Sequence, residues 1–198
     1  LQHIEQHGVE WYCRDAGGNI KTADEEKKSA NKSQARQAKT RSITGNGRWR
    51  SICFTEAVTV NPSIRFEKGK VYPFVEMSAI VPGARSVRES EHRAFKSGGT
   101  RFAPGDTLMA RITPCLENGK IARFRPSDEN SFGFGSTEFI IIRGKEGTTT
   151  DDFAYYLTKW DEFSQFAIGQ MTGSSGRQRV PAVSLGDFEV AIPPIPVQ

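Results

Sequence analysis

Cysteine is scarce: Cys13, Cys53 and Cys115 are the only three in 198 residues, they stand far apart, and none forms a C-x-x-C pair. That usage argues against a disulfide scaffold and against a structural zinc site, and it fits a reducing compartment, the cytoplasm. Long apolar runs are lacking as well. The longest unbroken aliphatic stretch is Ile140 to Ile142, after Phe139, far short of the roughly 20 residues a membrane span needs, and no basic-then-apolar leader opens the chain. Neither a membrane nor a secreted location is expected. Histidine is equally rare, with three in the chain and only His92 beyond residue 7.

These shortages remove most catalytic readings. His3-Ile4-Glu5-Gln6-His7 puts two imidazoles one helical turn apart, yet Glu5 occupies the wrong place for H-E-x-x-H or H-x-x-E-H, so the segment reads as a terminal helix turn and not as a metal site. A serine hydrolase would have to use His92, and no G-x-S-x-G elbow presents a serine. Gly119-Lys120 lacks the glycine and the hydroxyl residue of a phosphate-binding P-loop, and Phe132-Gly133-Phe134-Gly135 matches a methyltransferase cofactor loop only loosely, without a catalytic tetrapeptide elsewhere. No cofactor and no catalytic residue is therefore expected. Asp106 with Glu117 and Lys120 is the nearest approach to a nuclease carboxylate cluster. Glu117 and Lys120, however, are three apart and do not share a strand face, and Asp106 in Pro104-Gly105-Asp106 reads as a turn residue.

What is present is an ordinary globular composition, 36% hydrophobic, 25% charged and 10% aromatic, with a net charge of +4. It suits one domain with an appendage. Residues 1–47 form a polar basic extension: Ile20 to Arg41 carries seven basic and three acidic side chains and little apolar beyond four alanines. A segment without an apolar stripe is expected to be mobile or marginally helical. Residues 48–198 form the folded domain. Short β-branched and aromatic runs broken by Gly, Pro, Asn and Asp predict strands over Ser51 to Val60, Tyr72 to Met77, Thr107 to Ile112, Lys120 to Arg125, Ser136 to Arg143 and Phe188 to Ile192. One helix is predicted between Asp151 and Ile168, where Phe153, Tyr156, Leu157, Trp160, Phe163 and Ala167 recur at helical spacing, with Thr149 and Asp152 as a capping box and Gly169 as the stop. Trp49, Trp160 and the phenylalanines read as core. Pro193-Pro194-Ile195-Pro196 can continue neither ladder nor helix. Strands in a run, then a helix, then a strand, predict an α+β fold with a twisted, mainly antiparallel or mixed sheet and one main amphipathic helix.

Charge concentrates in the middle of that domain. Between Ala84 and Arg125, nine Lys and Arg (Arg85, Arg88, Arg93, Lys96, Arg101, Arg111, Lys120, Arg123, Arg125) face four acids (Glu89, Glu91, Asp106, Glu117). A basic surface attracts phosphate backbones by releasing counterions, although basic runs also serve as plain solvated faces. After the predicted helix comes Met171-Thr172-Gly173-Ser174-Ser175-Gly176-Arg177-Gln178-Arg179. Small residues there let a ligand approach the backbone, and two arginines flanking a glutamine offer donors to phosphates or base edges. The plainer alternative is a helix-to-strand connection.

Taken in order, these pieces resemble the target-recognition domain of the specificity (S) subunit of type I restriction-modification systems. The resemblance runs from Trp49 to Gln198. It rests on Trp49-Arg50-Ser51-Ile52, on Val75 to Ile80, on Phe102 to Arg111 with Asn118-Gly119-Lys120, on Ser136-Thr137-Glu138-Phe139, on the aromatic helix, on Gly173-Ser174 to Arg179, and on Ile192 to Gln198. It implies a non-catalytic reader of double-stranded DNA that works with modification (methyltransferase) subunits and, through them, a restriction subunit. It also implies that the chain carries one such domain, ending at Gln198 near where a spacer helix would begin. The DNA-binding residues expected are Lys96, Arg101, Arg111, Asn118 and Lys120, together with Ser174, Ser175, Arg177, Gln178 and Arg179. Arg and Gln are cast as base readers and Lys and Ser as phosphate contacts. Glu76 and Glu138 are expected to be structural or to pair with arginines, and not to act as acids in catalysis. An autonomous metal-dependent nuclease using Asp106, Glu117 and Lys120, and a basic module that meets an acidic protein, remain as alternatives.

Overall fold

A computed structural model of the chain describes residues 12–14, 20–22 and 49–198. It divides into two units, Leu1–Thr44 and Gly45–Gln198. In the first, β1 (Tyr12–Arg14) and β2 (Ile20–Thr22) form an antiparallel pair. Elsewhere in that unit the expectation of a mobile or marginally helical extension falls outside the described residues, as do His3 and His7.

The second unit begins with β3 (Arg50–Cys53), a single helical turn α1 (Phe54–Ala57), β4 (Val58–Val60), β5 (Val71–Val75), β6 (Ser86–Val87), β7 (Glu91–Ala94) and β8 (Thr100–Phe102). It continues through β9 (Thr107–Ala110), β10 (Ile121–Phe124), β11 (Gly133–Gly135), β12 (Phe139–Gly144), α2 (Asp151–Lys159), α3 (Asp161–Gly169) and β13 (Glu189–Ile192). A central sheet runs β4-β12-β9-β10-β6, a second runs β7-β5-β11-β8, and β13 pairs with β3. The pairings of this unit are antiparallel except β6 with β10 and β5 with β11, so the sheets are mixed.

The strand period explains the layering. In β9 and β12, Met109, Ile140 and Ile142 face a core shared with Phe54, Tyr155, Leu157 and Phe163, whereas Leu108, Phe139 and Ile141 face one shared with Val75, Phe102 and Phe124. The central sheet is thus covered on both faces, by helices on one and by the second sheet on the other. This is why its strands read as near-continuous apolar runs. Burying the five phenylalanines that are fully enclosed (Phe54, Phe102, Phe124, Phe139, Phe163) contributes roughly 1.5 to 3 kcal/mol each. In β11 the glycines point inward: a Cβ on Gly133 would meet the Phe102 ring at 2.6 Å, and one on Gly135 the Val75 carbonyl oxygen at 2.4 Å. Phe134 faces outward into a cluster with Phe66, Phe74 and Phe95. The Phe-Gly-Phe-Gly segment is therefore a packed strand.

Four expectations change. The predicted strand Ser51 to Val60 is interrupted by α1, where the Cys53 amide donates to the Glu56 carboxylate, so β3 joins β13 and β4 joins β12. The predicted helix is two: Trp160 is extended (φ −69°, ψ 132°), ending α2 and starting α3. Lys159 in the last turn of α2 and Asp161-Glu162 in the first turn of α3 complement the two helix ends that meet there. The cap is Thr150, which accepts from the Phe153 amide, while the Thr149 hydroxyl donates to the Ala57 carbonyl. As a consequence Tyr155 is buried and Tyr156 is 54% exposed. Trp49 and Trp160, expected in the core, are 47% and 43% exposed, Trp160 standing edge-on to Phe188.

Candidate nucleic-acid interface

Several chain passes meet where β9 ends and where β10 and β12 begin, since Met109 lies opposite Ile121 and Ala110 opposite Phe139. Here Arg111 leaves β9. Its amide donates to the Glu138 carbonyl at 3.0 Å, and its own carbonyl accepts from the Val180 amide at 2.8 Å. Thr113 donates to the Gln178 carbonyl at 3.0 Å, so the end of the glycine-rich segment runs beside residues 111–113. That segment closes on itself through two hydrogen bonds between Thr172 and Arg179, 2.8 and 3.0 Å. Gly173 and Gly176 turn the loop at φ +121° and +74°, where side chains other than glycine's are strained.

The Arg179 guanidinium grips Glu138 by hydrogen bonds of 2.8 to 3.0 Å from Nε and Nη2, and its Nη1 donates to the Arg177 carbonyl. These bonds raise the Arg179 pKa further against the opposing effect of desolvation, and the Glu138 charge adds to the rise. Glu138 thus pairs with an arginine as expected, and Glu76 does too, with Arg93. Beside this clasp, Arg101 and Arg111 line an open cleft of about 330 Å³ with Asn61, Ser63, Thr100 and Thr137. Arg101 donates from Nη1 to the Ile64 carbonyl at 3.1 Å, its guanidinium 4.9 Å from the Phe95 ring centre.

The expected DNA-binding residues are distributed as follows. Arg101 and Arg111 share the cleft, and residues 111–113 run beside the end of the loop, Arg111 bonded to Val180, Ile112 bridged to Arg179 and Thr113 bonded to Gln178. Ser174, Ser175 and Arg177 are exposed at the tip of the loop. Lys120 enters β10 beside Ala110, and its ammonium donates to the Met77 carbonyl at 2.9 Å. Asn118 and Lys96 are exposed, Lys96 following the buried Phe95. Arg179 thus helps to hold the loop that displays Ser174, Ser175 and Arg177, and Lys120 ties the start of β10 to the Met77 turn. Sequence reasoning passed over Asn61, Ser63, Thr100 and Thr137. The Asn61-Pro62-Ser63 turn was the available signal, and Asn61 at φ +50° accepts the Ile141 amide at 2.9 Å.

The nine cations of the central segment do not make one face. Arg123 lies opposite Thr107, at the other end of β9, and shares Asp152 with Arg85, while Arg93 is paired with Glu76 and Glu91. Asp106 is at that same far end. Its carboxylate takes 2.6 and 2.8 Å bonds from Arg143 and one from the Ala103 amide. Burial pushes its pKa up against the pull of those donors. β9 separates it by more than about 10 Å from Glu117 and Lys120, given the strand rise. The three residues of the nuclease alternative are therefore not brought together.

No protein-family model matches the chain. The chain is 30% identical over 150 residues, 74% of its length, to the type I restriction enzyme EcoEI specificity subunit of Escherichia coli, and 29% identical over 154 residues to the EcoAI specificity subunit of the same organism. It spans about a quarter of the length of these curated relatives. In fold it is similar to the HsdS subunit from Thermoanaerobacter tengcongensis, with a TM-score of 0.59 and 19% identity over 75% of this chain and 38% of that one. It is also similar to a chain of a type I R-M system solved for its complex assembly and conformational transition, with a TM-score of 0.52 and 13% identity over 88% of this chain and 42% of that one. The sheet-and-helix unit described above is thus a domain related to the specificity subunits of type I restriction enzymes, with the fold of an HsdS target-recognition domain.

Proposed function

We propose that this domain reads a short sequence in double-stranded DNA as the target-recognition part of a type I specificity subunit, and so directs methylation and cleavage carried out by partner modification and restriction subunits. On this proposal the chain is not itself a catalyst and needs no cofactor. It works in the cytoplasm, where its DNA is; no described helix is long and apolar enough to cross a membrane.

The observation that carries the proposal is the joining of Arg111 to the glycine-rich loop. A loop closed by Thr172 and Arg179 and clasped by Glu138 holds out Ser174, Ser175 and Arg177 with Gln178 beside them, next to a cleft with two arginines. Planar donors fixed on a rigid edge suit base-edge recognition in the major groove, and the neighbouring cations suit the phosphates that set the register. Selection from a randomised duplex library tests this. A recovered consensus is the expected result, whereas equal recovery of all sequences by a chain that does bind duplex would refute the specificity.

A further inference from the structure

The Arg101 and Arg111 cleft contains an unmet demand. The Nε–H groups of both arginines are buried and have no hydrogen-bond partner among the described residues. Folded chains ordinarily pair such donors. Arg101 cannot turn away to find one, because Nη1 is held by the Ile64 carbonyl and the guanidinium lies over the rings of Phe95 and Phe66. Arg111 is anchored by its backbone on both sides, to Glu138 and to Val180, and its side chain has no acceptor among the described residues. The cleft lining carries no carboxylate, and it adds the hydroxyls of Ser63 and Thr137, that of Thr100 donating to the Phe139 carbonyl. Two guanidinium forks with hydroxyl donors and no opposing charge match a group with several oxygens and negative charge, which is a phosphoryl group. The volume of about 330 Å³ leaves room for what is attached to it.

We propose that this cleft seats one phosphodiester of the DNA backbone, with Arg101 and Arg111 on its oxygens and Ser63 and Thr137 at its rim. The proposal rests on the DNA-reading function and gives it a fixed point. A phosphate held here, one residue along the chain from the Glu138 clasp, sets where the bases fall in front of Arg177 and Gln178.

The test compares the full chain with Arg111→Gln, folding being checked by circular dichroism, in duplex titrations across a range of salt. Each phosphate contacted adds about 0.9 to the slope of log affinity against log salt. Arg111→Gln should lower the slope by about that amount and leave base preference unchanged, and a wild-type slope and affinity would overturn the proposal. If Arg111→Gln does not fold, Arg111→Lys keeps the charge but loses the fork, and the expected result becomes a wild-type slope with about tenfold weaker binding to every duplex; wild-type affinity would overturn it. Phosphorus NMR with inorganic phosphate separates the sources. Phosphate binding that Arg111→Gln abolishes, in a chain that binds no duplex, would make this a site for the free anion and sink both the phosphodiester and the DNA reading. Duplex binding with a slope indifferent to Arg111 would sink the phosphodiester alone.

Discussion

The guanidinium of Arg179 lies fork-on against the carboxylate of Glu138, at 2.8 to 3.0 Å, and in doing so ties the exit of the glycine-rich loop to the entry of β12. Both side chains are partly exposed, so the pair adds little to global stability, under about 1 kcal/mol for a screened surface bridge. Its effect is local. Glu138→Gln should leave the melting temperature within a few degrees of wild type while hydrogen exchange at Ser174 to Gln178 speeds up. Discrimination between target and random duplex should fall more than affinity for random duplex. Unchanged exchange in the loop would show that the clasp does not hold it.

Asp106 and Arg143 make the contrasting pair. Their bidentate bonds join the start of β9 to β12 with the carboxylate fully buried. Removing the buried carboxylate leaves the Ala103 amide without its acceptor and the one-third exposed Arg143 without its partner, at a cost of about 1 to 3 kcal/mol. Asp106→Ala should therefore lose that much in urea unfolding. Asp106→Asn, which retains an acceptor for the Ala103 amide, should lose less. Neither change should alter the salt slope of duplex binding, because Asp106 is at the end of β9 away from Arg111.

How much was readable beforehand follows from burial. β9 and β12 are legible because both faces are covered, and Thr107 to Ala110 and Phe139 to Ile142 accordingly carry almost no polar residue. β7, Glu91-His92-Arg93-Ala94, is exposed along its whole length and has no apolar face to give a period of two. β6 is two residues long. β11 is Gly-Phe-Gly, a pattern that ordinarily weakens a strand and is tolerated here because the glycines let β11 approach Val75 and Phe102. The division at Trp160 escapes the helical period because one extended residue displaces it without changing the apolar count. The glycine-rich loop and Arg111 stand out by composition. Their adjacency, which passes through backbone bonds between residues more than 60 apart, does not.

Gly135 offers a direct check on that account of β11. A methyl group there would overlap the Val75 carbonyl oxygen and press on the Phe139 ring, and backbone cannot swing aside as a side chain can. Overpacking of this kind costs about 1 to 3 kcal/mol, and the backbone contact puts Gly135→Ala at the upper end. Thermal unfolding monitored by near-ultraviolet circular dichroism reads it. A neutral outcome would mean that β11 and β5 do not lie as close as described.

Thr149 and Thr150 separate the two capping assignments. Thr150→Ala removes an N-cap and should cost about 1 kcal/mol. Thr149→Val keeps the shape but strands the buried Ala57 carbonyl and the Lys145 amide, so about 1 to 3 kcal/mol should be lost. Were Thr149 only the first member of a capping box, its substitution would cost no more than that of Thr150. Urea unfolding of the two variants side by side decides between these.

Arg177 and Lys96 should differ in kind and not only in degree. Arg177 is exposed at the tip of a loop fixed at both ends, and its carbonyl, not its side chain, takes part in holding the loop. A guanidinium presented this way can place two donors on one base edge, so Arg177→Ala should reduce preference at a single base pair by about 1 to 3 kcal/mol. Lys96 is an exposed point charge on a flexible side-chain stem shortly before Gly98 and Gly99, suited to a phosphate and not to a base. Lys96→Ala should weaken every duplex alike and lower the salt slope by about 0.9, with base preference unaltered. Competition titrations over single-base variants of the selected site, repeated at several salt concentrations, measure both quantities. An Arg177→Ala variant that lost affinity uniformly, with its base preferences intact, would move Arg177 from the readers to the phosphate contacts and leave Gln178 as the one planar donor at the tip.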